Sequence, residues 1–250
     1  MDLADQQGLL IINELPAVAL TNFTRQLLEL HKQLLKQLWQ RDQHRPSTIA
    51  WSVANEPLSQ LNESGPYWQE LIDLAHQLDP SRPVTAALNA PFSVDHCAEY
   101  LDFIMLNRYY AWYSDAGQLS LISLQLSTDI LSWKAKFRKP LLISEYGADT
   151  LAGLHSQMNQ VFSEDFQTAY LRKHFKVFDQ LRSERKLAGE MIWNFADFNT
   201  DSSITRVMGN RKGIFTRDRE PKASARLLRC RYLQIQAQQR NHTFEPGSNC

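Results

Sequence analysis

The chain has 250 residues, 43% apolar and 22% charged, with 27 Lys plus Arg balancing 27 Asp plus Glu. Such a composition excludes disorder over most of the length, and zero net charge disfavours a module that coats nucleic acid. Cys97, Cys230 and Cys250 lie too far apart for a disulfide framework or a CxxC metal signature, and no apolar run approaches the roughly 20 residues that span a bilayer.

The first residues read as the end of a helix followed by a strand. Six short, nearly continuous apolar runs follow in order, at 9–12, 48–53, 84–88, 103–106, 141–143 and 191–195. Runs of this kind suit strands buried on both faces of a parallel sheet. Helical patterns separate them. Leu27, Leu30, Leu34 and Leu38 share one face of a helix predicted over 24–42, capped by Thr24 or Asn22. Further helices are predicted over 64–78, stopped by Asp79-Pro80, over 119–137, over 163–187 with Ser163 as cap, and over 222–238. Strand-then-helix order means an α/β fold. Neither GxGxxG nor GxxxxGK[ST] follows a strand, which lowers nucleotide-binding readings. The expected architecture is a (β/α)8 barrel, incomplete, with about six of eight strands and the first two missing. Residues 1–240 are expected to form this partial barrel and 241–250 a flexible tail.

Barrel chemistry sits where strands end. Strand 48–53 leads into Ala54-Asn55-Glu56-Pro57, and strand 141–143 into Ser144-Glu145-Tyr146-Gly147. Two carboxylates at one opening suit glycoside hydrolysis, where one protonated acid serves the leaving oxygen and one ionised carboxylate attacks carbon or activates water. A lone glutamate at a strand end is more often an ion-pair partner or a cap. Two of them, in two such motifs, favour chemistry.

Several segments together resemble one family. Trp51-Ser-Val-Ala-Asn-Glu-Pro57, Leu106-Asn-Arg-Tyr-Tyr110, Ile143-Ser-Glu-Tyr-Gly147, Ile192-Trp-Asn-Phe-Ala-Asp-Phe198 and Gly209-Asn-Arg-Lys-Gly-Ile-Phe-Thr-Arg217 with Pro221-Lys222 are similar to the β-glucuronidases of glycoside hydrolase family 2, in the same order, as far as about Tyr232. The resemblance implies retaining hydrolysis of β-D-glucuronides. It makes Glu56 the general acid/base, Glu145 the nucleophile and Tyr109 the group that holds the nucleophile. Asn55 would bind the sugar 2-hydroxyl, and Trp193 is read as either a sugar platform or a core residue. Asn210 and Lys212 match the family's Asn-x-Lys reader of the C6 carboxylate, with Arg206 and Tyr113 beside it. No metal or organic cofactor is implied, and the partners are glucuronides, either glycosaminoglycan ends or small conjugates. Full-length members are commonly tetrameric, which makes a homo-oligomer possible.

The family's sugar-binding-like and immunoglobulin-like domains are absent from this sequence, so a truncated chain is expected, with an inactive fragment as one rival reading. A β-galactosidase or β-mannosidase of the same family is another. Asn22, Asn62 and Asn241 open glycosylation sequons, and Asn22 and Asn241 lie where animal lysosomal members resemble the chain, so a lysosomal setting is expected if the source is animal. His96 beside Cys97 is read as structural, Glu14 as an ion-pair partner, Asp197 as an organiser of the site, and His155 as a loop residue.

Overall fold

The computed structural model describes residues 1–240; the tail at 241–250, with the sequon at Asn241, lies outside the described residues. In chain order the elements are α1 (Asp2–Gln7), β1 (Ile11–Glu14), α2 (Arg25–Asp42), β2 (Thr48–Asn55), α3 (Ser64–Leu78), β3 (Val84–Leu88), β4 (Ile104–Asn107), α4 (Ile122–Phe137), β5 (Leu141–Glu145), α5 (Glu164–Ser183), β6 (Gly189–Glu190) and α6 (Ala223–Gln239). The six parallel strands form one sheet in the order β1-β2-β3-β4-β5-β6. Neighbouring parallel strands need a long crossover. Sequential order, with a helix in every crossover but the one from β3 to β4, is the wiring of a (β/α)8 barrel, here with six of its eight strands. No helix among the described residues is long and apolar enough to cross a membrane.

Burial explains the strand pattern. Every residue of β3 and β4 is buried, and β2 is buried at all but two of its positions. Caps fix the helix starts. Thr24 Oγ1 accepts from Leu27 N at 3.3 Å, so Thr24 rather than Asn22 opens α2. Ser163 Oγ accepts from Phe166 N at 3.1 Å at the start of α5. α5 stops at Ser183, short of 187, where Arg185 takes a left-handed backbone (φ 56). The last strand differs from expectation. It lies at Gly189–Glu190, and the apolar run at 191–195 is a loop. There, Trp193 packs edge-on against Phe198 and Phe195 against Phe215, so ring contacts rather than a ladder account for its apolar character.

The chain divides into two compact units. The first comprises Met1–Asn107, Thr128–Ser144 and Glu184–Gly189, and holds the sheet with α1 to α3. Leu28, Leu35 and Leu38 of α2 and Trp68, Leu71 and Ile72 of α3 are buried with Val53, Ala54, Val84 and Leu106 of the strands. His31 ties α2 to β2, with one ring nitrogen 2.8 Å from Val53 O and the other 2.8 Å from Tyr67 Oη. Near the start of β3, Asp79 accepts from Trp51 Nε1 at 3.0 Å and Arg82 at 2.7 Å, and Arg82 also donates to Thr48 O at 2.8 Å.

The second unit comprises Arg108–Ser127, Glu145–Ser183 and the residues from Glu190 onward. Its core is aromatic. His174 is fully buried with Tyr146 stacked 5.4 Å away and Tyr170 at 4.2 Å, and Phe166 and Phe178 lie beside them. Arg231 of α6 is buried against Glu190 and Asp179, which joins α6 to α5.

Candidate active site

In the first unit, β2 delivers Asn55 and Glu56 at its carboxyl end, both half-buried. Glu56 adopts a left-handed backbone (φ 48), a conformation that non-glycine residues adopt at a cost and that clusters at functional sites. Its amide donates to Ala87 O at 2.8 Å, which extends the pairing with β3 one residue past the strand. The side-chain partner is Asn107, at the end of β4. Asn107 Nδ2 donates to Glu56 Oε1 at 2.9 Å and to Asn55 Oδ1 at 3.0 Å. Ser144 Oγ in turn donates to Asn107 Oδ1 at 2.7 Å. Asn107 thus has both ends of its amide committed, which fixes its orientation. Sequence reasoning missed Asn107 and Ser144, although both stand inside the quoted motifs.

In the second unit, Tyr109 Oη donates to Glu145 Oε2 at 2.6 Å, as the resemblance implied. Burial, and then the Glu145 charge, push the Tyr109 phenol far above its ordinary range, so it stays a donor. Arg108 N donates to Glu145 O at 2.8 Å, which anchors the backbone beneath the carboxylate. Gly147 follows closely because a side chain there would collide with the Trp193 carbonyl. Trp193 itself is half-buried, with its amide donating to Tyr146 O at 3.0 Å.

The cationic patch also belongs to the second unit. Asn210 and Lys212 are fully buried, unlike a solvated basic loop. Lys212 Nζ pairs with Asp149, which is equally buried. The same ammonium lies 5.7, 5.2 and 4.8 Å from the ring centres of Tyr109, Trp112 and Tyr113, within cation–π range. Asn210 Oδ1 accepts from Lys212 N at 3.0 Å, while its Nδ2 is buried with no partner among the described residues. Arg206 donates to the hydroxyl of the exposed Tyr113 at 3.3 Å. An unsatisfied amide donor, a buried ammonium and a guanidinium suit an anionic oxygen ligand. Asp149 was not foreseen. Its partner stands 63 positions away, and no local pattern links them.

The remaining expectations resolve individually. Asp197 accepts from the buried Lys222 at 2.9 Å and lies 3.7 Å from Arg211. Lys222 also donates to Arg211 O and Thr150 O, both at 2.9 Å, so the pair braces the loop that carries Lys212. Glu14 is a correction: it accepts from Ser52 Oγ at 2.7 Å rather than from a cation. His155 lies 3.1 Å from Asp165 at the surface. His96 donates its backbone amide to Ser59 O at 2.9 Å, and among the described residues no group of three or more His, Cys, Asp or Glu could hold a metal.

Comparison with known proteins gives the family. Residues 1–237 match the family described as "Glycosyl hydrolases family 2, TIM barrel domain". The β-glucuronidases of Homo sapiens and Canis lupus familiaris are 45% and 44% identical over 253 aligned residues, which take in 100% of this chain and 39% of each relative. Among solved structures, a β-glucuronidase from an uncultured Clostridium species superimposes with a TM-score of 0.89 at 40% identity, over 92% of this chain and 41% of that one. The β-glucuronidase of Ruminococcus gnavus in complex with uronic deoxynojirimycin does so with a TM-score of 0.86 at 39% identity, again over 92% and 41%. The chain therefore spans about two-fifths of the length of the relatives it matches, and on this match and these likenesses it belongs to glycosyl hydrolase family 2, through its TIM barrel domain.

Proposed function

We propose that the chain carries the catalytic machinery of a retaining β-D-glucuronidase. In the first step the Glu145 carboxylate attacks the anomeric carbon and forms an ester, while Glu56 gives its proton to the departing aglycone oxygen. In the second, Glu56 takes a proton from water, the hydroxide attacks the same carbon, and Glu145 leaves as carboxylate. Two inversions at one carbon give net retention. Tyr109 holds Glu145 in its attacking rotamer, and its hydrogen bond favours the ionised form. Asn55 receives the 2-hydroxyl, and Trp193 flanks the sugar. Asn210, Lys212, Arg206 and Tyr113 bind the C6 carboxylate.

One observation carries this reading. Tyr109 touches both halves of the chemistry, for its hydroxyl holds Glu145 at 2.6 Å and its ring lies 5.7 Å from the Lys212 ammonium. A nucleophile and a cation on two sides of one phenol suit a substrate whose reacting carbon and carboxylate belong to one sugar ring. The Ruminococcus gnavus relative with its uronic ligand supports the same substrate class. Asn22 and Asn62 are exposed, which supports a glycosylated protein of the secretory route.

The test is turnover of a chromogenic β-D-glucuronide beside the matching β-D-galactoside and β-D-glucoside, with Glu145→Gln as control. Turnover selective for the glucuronide and lost in the control is expected. Selectivity for the galactoside would overturn the uronate assignment.

A further inference from the structure

Lys212 is the cation that the glucuronide reading assigns to the substrate carboxylate, yet it already has an anionic partner. Its ammonium and the Asp149 carboxylate are both fully buried and paired. The rings of Tyr109, Trp112 and Tyr113 also face the ammonium, and these rings cannot replace a counter-ion in full.

Asp149 holds more than the tip of the side chain. Its Oδ1 accepts from the backbone amide of Arg211, the residue before Lys212, while Oδ2 takes the ammonium. The neighbouring Thr150 N donates to Arg211 O at 2.9 Å, and Lys222 Nζ donates to both Thr150 O and Arg211 O at 2.9 Å. The segment after the proposed nucleophile and the loop of the Asn-x-Lys motif are therefore tied by one backbone bond and by the side chains of Asp149 and Lys222.

Resting on the glucuronide reading, we infer that Asp149 is a positioning residue for substrate specificity, which holds the Lys212 ammonium aimed so that a uronate is preferred over a neutral sugar. The charge sum agrees. Lys212 and Arg206 supply two positive charges, Asp149 removes one, and the single remaining charge matches one carboxylate. The opposite role, in which Asp149 competes with the uronate for Lys212 and weakens its binding, makes the reverse prediction.

The test compares kcat and KM toward a fluorogenic β-D-glucuronide and the matching β-D-glucoside for the wild-type chain, Asp149→Asn, Lys212→Met and the double variant. Asparagine has one amide oxygen for the two positions: turned to Arg211 N it leaves an NH2 facing the ammonium, and turned to the ammonium it offers a neutral oxygen and loses the bond from Arg211 N. The expected result is a fall in glucuronide kcat/KM, carried mainly by KM, that exceeds any change toward the glucoside by about tenfold or more, the scale of a buried charge pair losing one partner. Within the Lys212→Met background, Asp149→Asn should shift the preference no further, because its effect runs through Lys212. A preference that is unchanged or raised in Asp149→Asn overturns the inference while the function stands. Should Asp149→Asn not fold, the double variant against Lys212→Met decides, and a further loss of preference there overturns it. If the wild-type chain itself shows no glucuronide preference, the function and this inference fall together.

Discussion

Asn107 Nδ2 donates to Glu56 Oε1 at 2.9 Å, and Asn107 Oδ1 accepts from Ser144 Oγ at 2.7 Å. The proposed acid/base is thus oriented by a side chain at the end of β4, which is itself fixed by one from β5. Asn107→Ala removes this support without touching the cationic patch. The expected outcome is a fall in kcat/KM of roughly 10-fold, the upper range for a lost hydrogen bond. That fall should be equal for glucuronide and glucoside, so the ratio between them stays constant. Steady-state kinetics on both substrates checks it, and a shifted ratio would mean that Asn107 also reads the glycone.

Tyr109→Phe should act on the nucleophile. The 2.6 Å bond to Glu145 is lost, while the ring that faces Lys212 is kept. A drop in kcat of roughly 10- to 100-fold is expected, with KM for the glucuronide little changed. A KM that rises while kcat holds would place Tyr109 in substrate binding alone.

Acid stability follows from His174. Burial pushes its imidazole down to about 4, against an unfolded value near 6.5. The folded value is depressed, so the stability is present above about 6.5 and is lost as pH falls through the interval toward about 4. Between pH 6.5 and 5 the loss is about 2 kcal/mol. Urea unfolding at pH 7 and pH 5 should show that slope in the wild-type chain and a smaller one in His174→Gln. Equal slopes would contradict the assignment.

Asp79 gives a second pH-dependent element. Burial raises its proton affinity, but hydrogen bonds from Ser81, Arg82 and Trp51 outweigh burial and hold the carboxyl well below its usual range. Its stabilisation is present above about pH 3.8 and is lost as pH falls through the lower folded value. Asp79→Asn should cost about 2–3 kcal/mol at neutral pH, and thermal melts should show the gap to wild type closing below about pH 4.

The legible part of the molecule was the part encoded locally. β2 to β4 announced themselves as short apolar runs because both faces of each are largely buried, and β5 because Leu141 and Ile143 are buried on one face. Thr24 and Ser163 sit where their hydroxyls cap the helices that follow. The apolar run at 191–195 misled because its rings meet other rings in a loop, Trp193 with Phe198 and Phe195 with Phe215, while Phe195 and Phe198 stay exposed, and apolar residues in a row do not tell such a loop from a strand. Tyr109 was found through its motif, whereas Asn107, two positions earlier in the same motif, takes its meaning from Glu56, 51 positions away. Asp149 was invisible for the same reason: its meaning lies in Lys212, and nothing in Gly147-Ala-Asp-Thr150 points there. Buried charge pairs between distant segments are set by tertiary structure and leave no local pattern.

The central claim is a covalent intermediate on Glu145. The most direct measurement is intact mass after incubation with an activated 2-deoxy-2-fluoro-β-D-glucuronide, followed by peptide mapping of the adduct. The account predicts one fluoroglucuronyl group per chain, attached to Glu145, and none in Glu145→Gln. An adduct on another residue, or glucuronide turnover that yields the α-anomer first, would contradict it.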